Sequence, residues 1–290
     1  MSPQPATQDD LDGDVYVFPR HLARSTAVGD PVLDPLRHLG WDLHHDDLGN
    51  AYLTAPDGQV RLEYLPEGED DGLWRINAYR DAFGPPVWGV CCNADTPTEF
   101  VTAFTTALAT AYRDGPDRYL ASPVVGSLER DPLLAVDPLI AHGWQFDRSS
   151  PDTFAITSPD GLATLEYAIG PLDAKSELDS RSARWHLWSG TNVDRPFWYA
   201  TASTDTPAAL LRAVTESVAD PAPLLRWQQA THSYVKGRAQ LTPVLPPSPP
   251  SPTPLDVQRA LAARRPTAVP AASVPRWSTT SRPALPGPRR

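Results

Sequence analysis

The stretch TAPDGQVRLEY at 54–64 returns as TSPDGLATLEY at 157–167, and the reading of this phrase decides how the chain is organised. In the first occurrence Val60, Leu62 and Tyr64 alternate with Arg61 and Glu63. Side chains that alternate in polarity with a period of two belong to a strand with one face buried. The Asp-Gly pair just before them supplies the backbone conformation of a tight hairpin turn. The phrase therefore predicts strands over 51–55 and 59–64 joined at Pro56-Asp57-Gly58, and the same hairpin again in the second occurrence.

Outside the hairpin the repeat continues. DPLRHLGWDL at 34–43 matches DPLIAHGWQF at 137–146, LWRINAY at 73–79 matches RWHLWSG at 184–190 after a longer loop in the second copy, and PVWGVCCNADTPTEFVTAF at 86–104 matches PFWYATASTDTPAALLRAV at 196–214. Self-similarity on this scale means one structural unit used twice. The spacing predicts a short helix ending at Gly40, a residue suited to the left-handed backbone of a helix end. Trp74, Ile76 and Ala78 point inward and Arg75, Asn77 and Tyr79 outward on a third strand, with a fourth over 86–92. A closing helix follows, with Thr96 as N-cap, Pro97 in the first turn, Glu99 completing a capping box and Phe100, Phe104 and Leu108 as its apolar stripe.

The expected fold class is α+β: two tandem copies of a helix, four-stranded antiparallel meander, helix unit, related by a pseudo-two-fold axis as the halves of a homodimer are. The expected boundaries are 14–117 and 118–225, with disordered residues before 14, a helical extension over 226–240 and a disordered Pro/Arg-rich tail over 241–290. VYVFP at 15–19 is expected to add an edge strand. Trp41 and Trp144, Trp74 and Trp185, and Trp88 and Trp198 recur at matching positions and are read as core.

VFPRHLA at 17–23, APDG at 55–58 and SPDG at 158–161, the Gly-Trp pairs at 40–41 and 143–144 and the Asp-Thr-Pro helix starts together resemble the SPDY-motif domain, a domain of unknown function common in actinomycetes and often found in tandem. The resemblance covers about residues 15–225 and implies two such domains; it brings no catalytic residues with it. Ala55 stands where the family phrase has Ser, and Gly58 and Gly161 stand where its name has Tyr, all at turn positions.

The 290-residue chain carries a formal charge of −10, divided unevenly. Residues 241–290 hold seven Arg against Asp256 alone, so the tail is +6 and residues 1–240 are −16. An acidic body repels phosphate backbones, which counts against nucleic-acid binding by the folded part. Neither a secretory signal nor an apolar run of membrane-spanning length is visible, which implies a cytoplasmic protein without a membrane partner. The only cysteines, Cys91 and Cys92, are adjacent. Neighbours on a strand point to opposite faces, so the two are expected as free thiols filling the sheet, with small residues, Ala202 and Ser203, at their places in the second copy. The scarcity of Lys, Asn and Ile beside abundant Ala, Pro, Arg and Asp suggests a GC-rich genome.

No motif for a cofactor is present. His44, His45, Asp46 and Asp47 carry the residue types of a metal site, but DRSS occupies the matching place at 147–150, and the stretch is read as a solvated loop without metal. The outward sheet face offers Glu63, Arg75 and Tyr79 in the first copy and Glu166, His186 and Trp188 in the second as partner-binding residues, with Glu63 and Arg75 as cross-strand neighbours. A large aromatic on a polar face such as Trp188 is covered by the other copy or by another protein. The tail opens with TPVLPPSPPSPTP, which favours polyproline II, and offers Arg259, Arg264, Arg265, Arg289 and Arg290 to a polyanion.

The function expected from these features is a non-catalytic protein-interaction or adaptor module with a flexible basic arm, its partner another protein. Two alternatives stand beside it: an accessory nucleic-acid-binding protein, as in plasmid or DNA transfer, acting through the tail, and an enzyme with a site in one copy only.

Overall fold

Strand β1 (Asp14–Phe18) opens the ordered chain in the computed structural model, which describes residues 13–66, 72–120, 131–148, 150–179, 183–228, 231, 235, 237–244, 255–256 and 258–259. The first copy then runs α1 (Asp30–Arg37), β2 (Asp42–His45), β3 (Ala51–Thr54), β4 (Val60–Tyr64), β5 (Gly72–Tyr79), β6 (Pro86–Asn93) and α2 (Thr98–Asp114), followed by the single turn α3 (Pro116–Tyr119). The second repeats it as α4 (Pro132–Ala141), β7 (Gln145–Asp147), β8 (Thr153–Thr157), β9 (Ala163–Ala168), β10 (Trp185–Ser189), β11 (Trp198–Ala202) and α6 (Ala208–Ala219). An extra short helix, α5 (Ala174–Asp179), fills the longer loop between β9 and β10. Strands β12 (Leu224–Trp227) and β13 (Gln240–Pro243) close the unit.

The fold is the duplicated α+β arrangement that the repeat predicts. Both hairpins turn at Asp-Gly, with Gly58 and Gly161 at φ of 71° and 70°. All ten repeat strands join in one antiparallel sheet, ordered β2-β3-β4-β5-β6-β11-β10-β9-β8-β7. The two meanders meet edge to edge at β6 and β11, where Val90 faces Ala202, Cys91 faces Thr201 and Cys92 faces Ala200. Each meander has a fifth strand beyond the four expected. His44 and His45 lie in β2 rather than in a loop, pairing with Tyr52 and Ala51.

Helix α2 packs against α6 across the seam, with α1 beside α2 and α4 beside α6. This layer covers the apolar face of the sheet, so that Phe104 meets Trp88 and Phe100 reaches across the seam to Trp198, ring centroids 6.0 and 5.4 Å apart. The repeated tryptophans are core as expected: Trp41, Trp74, Trp88, Trp144, Trp185 and Trp198 are all buried. Full burial of side chains of this size contributes a few kcal/mol each.

Several local expectations are corrected. Thr96 does not cap α2; its hydroxyl donates to Asn93 Oδ1 and, across the seam, to the Tyr199 carbonyl, both at 2.8 Å. Glu99 does not turn back to the helix start either, because it is held by the two terminal guanidinium nitrogens of the buried Arg226, at 2.8 and 2.6 Å. VYVFP is not an edge strand of the main sheet: β1 is the middle strand of a separate three-stranded sheet, β12-β1-β13. The described part of 226–240 contains no α-helix and supplies the end of β12 and the start of β13, while 241–243, expected in the tail, complete β13. The rest of the expected tail beyond Val244, apart from exposed helical residues at 255–256 and 258–259, lies outside the described residues, as do residues 1–12.

Contact between the copies extends beyond the seam. The indole nitrogen of Trp88 donates to the Tyr119 carbonyl at 2.7 Å, and that of the equivalent Trp198 donates to the His21 carbonyl at 2.8 Å. Tyr119 also donates its hydroxyl to Gln59 (2.7 Å) and to Asp57 of the first hairpin (3.3 Å), while His21 Nε2 binds Asp160 of the second hairpin at 2.8 Å. The N-terminal segment of the first copy thus anchors the second copy's hairpin, and the N-terminal segment of the second copy anchors the first's. The sequence signal for this exchange is Arg118-Tyr119-Leu120-Ala121, a faint echo of Arg20-His21-Leu22-Ala23.

Candidate functional site

On the sheet face away from the helices, one row of directly opposed residues crosses both copies. Glu63 faces Arg75, Arg75 faces Cys91, Cys91 faces Thr201, Thr201 faces His186, and His186 faces Glu166. The row is pseudo-symmetric about the seam, since Glu63, Arg75 and Cys91 occupy the repeat positions of Glu166, His186 and Thr201. The structure therefore brings together four of the six outward-face candidates. It also corrects the alignment of the cysteines: Cys91 corresponds to Thr201, and Cys92, which is buried on the helix side, to Ala202. Burial, and to a lesser degree the neighbouring Cys91, pushes the Cys92 thiol far up, which suits a core residue and not a nucleophile.

The two halves of the row differ in what lies over them. Helix α5 from the second copy lies across the first copy's half, with Leu178 against Gly89. A Cβ at Gly89 would sit 2.6 Å from both Leu178 Cδ2 and Asn77 Oδ1. The second copy has Tyr199 at this position, its ring against His186 at 6.1 Å, so no helix could lie equally close there. Glu177 fixes α5 at its other side, accepting from the Thr204 amide (2.5 Å) and hydroxyl (2.7 Å). Beneath α5 remains a groove of about 720 Å³. Glu63, Arg75, Cys91 and Thr201 form its floor, Lys175 belongs to its roof, and Pro85 and Pro86 stand at one end. A volume of this size is that of a ligand-binding cleft. Burial raises the pKa of Glu63, with Arg75 and Arg61 opposing the rise.

The remaining candidates sit outside the groove. Tyr79 stacks under the Arg61 guanidinium, 4.7 Å from ring centre to Cζ. His186 Nδ1 lies 3.7 Å from Glu166 Oε2, too far for a hydrogen bond. Trp188 is half-buried, and its Nε1, like His186 Nε2, is shielded without a hydrogen-bond partner among the described residues. Arg259 is exposed; Arg264, Arg265, Arg289 and Arg290 lie outside the described residues. Among the described residues no three His, Cys, Asp or Glu side chains are grouped to hold a metal, and Asp46 instead accepts from Leu48, Asn50 and Tyr52 to shape a turn.

Ser158, Asp160 and His21 form a second polar cluster, of which Asp160 and His21 line a cleft of about 470 Å³ together with His142 and Trp144. Ser158 donates to Asp160 at 2.5 Å and accepts from the Leu162 and Ala163 amides. The carboxylate lies between hydroxyl and imidazole, so the imidazole has no contact with the hydroxyl it would have to deprotonate in nucleophilic catalysis. Burial works against ionisation of Asp160, but the hydrogen bond and charge of His21, with Ser158 and the Leu162 amide, outweigh it and hold the carboxyl at about 2.

Fold and groove together define a duplicated α+β sheet protein with α1, α2, α4 and α6 on one face and a mixed-charge cleft under α5 on the other. A family model for SPDY, a domain of unknown function (DUF317), matches residues 54–113 and again 157–224, one stretch in each copy. No curated protein and no solved structure matches it. No helix among the described residues is long and apolar enough to cross a membrane.

Proposed function

We propose that the chain is a non-catalytic protein-interaction module whose groove under α5 receives a segment of a partner carrying both acidic and basic side chains. The observation that carries this reading is the roofed half of the row, in which the first copy supplies Glu63 and Arg75 and the second supplies Lys175 and Thr201. Charges of both signs lining one cleft favour a partner with complementary charges in a set order, which serves specificity more than affinity. A basic partner side chain beside Glu63 would draw off its proton, so binding strengthens as pH rises through the carboxyl's raised pKa.

The test compares wild-type chain with Lys175→Glu and Arg75→Glu as bait in a native extract, followed by binding measurements on the retained protein. Support is a retained protein whose affinity falls at least tenfold with each reversal. Equal affinity for all three baits, or turnover of a retained small molecule, overturns the reading.

A further inference from the structure

The outer face of the three-stranded sheet is apolar and aromatic. Val15 and Val17 of β1 and Leu224 of β12 point inward and are buried, whereas Tyr16, Phe18, Leu225 and Trp227 point outward and are 40%, 39%, 46% and 49% exposed. The register makes them one patch: Tyr16 stands opposite Leu225 on one side and Thr242 on the other, and Asp14 stands opposite Trp227. The Val244 amide donates to the Asp14 carbonyl, which extends the patch by Val244, 38% exposed. Single exposed apolar residues are ordinary on a protein surface, but a contiguous set rich in Tyr, Trp and Phe marks a contact site.

We infer that this face binds the proline-rich segment 245–254 of a second copy of the chain. Ridges of aromatic side chains recognise polyproline II because that helix is preformed and loses little entropy on docking. LPPSPPSPTP is such a segment, and it begins one residue beyond Val244 at the border of the face. As polyproline II, nine residues such as 246–254 would span about 28 Å at ~3.1 Å per residue, enough to cross a face about 17 Å long. Charge agrees with the assignment: Asp14 lies on the face and Arg259 follows the proline run, in a chain whose body is −16 and whose tail is +6.

The direction of β13 selects a second copy over the chain's own segment. Strand β13 runs antiparallel to β1 and leaves at the Asp14 end. In the sequence only Leu245 separates Val244 from Pro246-Pro247, and a residue before proline favours extended conformations over turns, which favours the segment of a second copy as the occupant. Two chains related by a two-fold axis each give a segment and receive one, a closed arrangement. Each contact is small, so the expected dimer is weak, with a dissociation constant in roughly the micromolar range.

Sedimentation equilibrium of the full chain over a range of concentrations tests the inference. The expected result is a monomer–dimer equilibrium that Tyr16→Ser/Trp227→Ser weakens at least tenfold, with the unfolding midpoint held within a few degrees because both side chains are exposed. A synthetic peptide of residues 244–259 should return the dimer to monomer, and the same peptide with its prolines replaced by alanine should not. A chain monomeric at every concentration, including one that binds the peptide only weakly because its own segment occupies the face, overturns the inference. So does a dimer indifferent to the peptide and to the double substitution.

Discussion

Cys91 and Thr201 lie directly opposite each other across the β6–β11 seam, and they are the same position of the two copies. In an antiparallel ladder only residues on a two-fold axis face their own equivalents, so this pair locates the axis of the duplication. Everything on the outward face is arranged about it, and the departure from symmetry, α5 over one half only, is what makes a groove.

Gly89 is the position that permits this departure. Gly89→Ala would force its Cβ against Leu178 and Asn77, and overpacking of this kind costs about 1–3 kcal/mol. The expected outcome is a lower unfolding midpoint together with faster tryptic cleavage after Lys175 in α5. Unchanged cleavage would mean that α5 does not rest on Gly89.

Glu99 and Arg226 fasten the small sheet to α2. Arg226 is buried and its bidentate bond is its only carboxylate contact among the described residues, with the Arg24 and Leu225 carbonyls as its other acceptors. Removing one member of a buried pair strands the other, so Glu99→Ala should destabilise by about 3 kcal/mol, and Glu99→Ala/Arg226→Met should recover much of the loss. Urea denaturation of the two variants checks this; equal losses for both would mean that the pair, rather than the stranded charge, carries the stability.

The His21–Asp160 anchor has a defined pH window. Asp160 titrates at about 2 in the folded chain against an ordinary value of 3.8, so its ionised form stabilises the fold at pH above about 4, and this contribution is lost as pH falls toward 2. Because the carboxyl is partly exposed, the effect is discounted to about 1–2 kcal/mol. The stability gap between wild type and Asp160→Asn should close between pH 4 and pH 2. A gap that persists at pH 2 would place the anchor's stability elsewhere.

The tail, not the body, should carry any affinity for nucleic acid. A chain ending at Val244 keeps β13 beside β1, whereas one ending at 239 loses that strand and should melt lower. With 34 carboxylates against 18 Lys and Arg in residues 1–240, the chain ending at Val244 should show no duplex binding by fluorescence anisotropy, and any binding by the full chain should fade as salt is raised. Tight binding by the shortened chain at high salt would reverse the ranking of protein over nucleic acid as partner.

The amino-acid sequence by itself determined the duplication, the hairpins at Asp57-Gly58 and Asp160-Gly161, the inward and outward faces of β4 and β5 and the tryptophan core. These follow from local periodicity and turn chemistry, which a window of a few residues contains. It also placed Glu63 beside Arg75, because strands joined by a short loop pair in order. What it could not hold was the partner of each free edge and each free polar group. Thr96 reads as an N-cap until Tyr199 is beside it, Glu99 as half of a capping box until Arg226 arrives from 127 residues away, and VYVFP as an edge strand until β12 and β13 flank it. Pairing between distant segments depends on which edges remain open once the meanders have formed, and residues so far apart in the chain leave no periodic signal of their meeting. The tertiary structure alone therefore decided the seam at Cys91 and Thr201, the exchange of His21 and Tyr119 between the copies and the groove that α5 closes over Arg75.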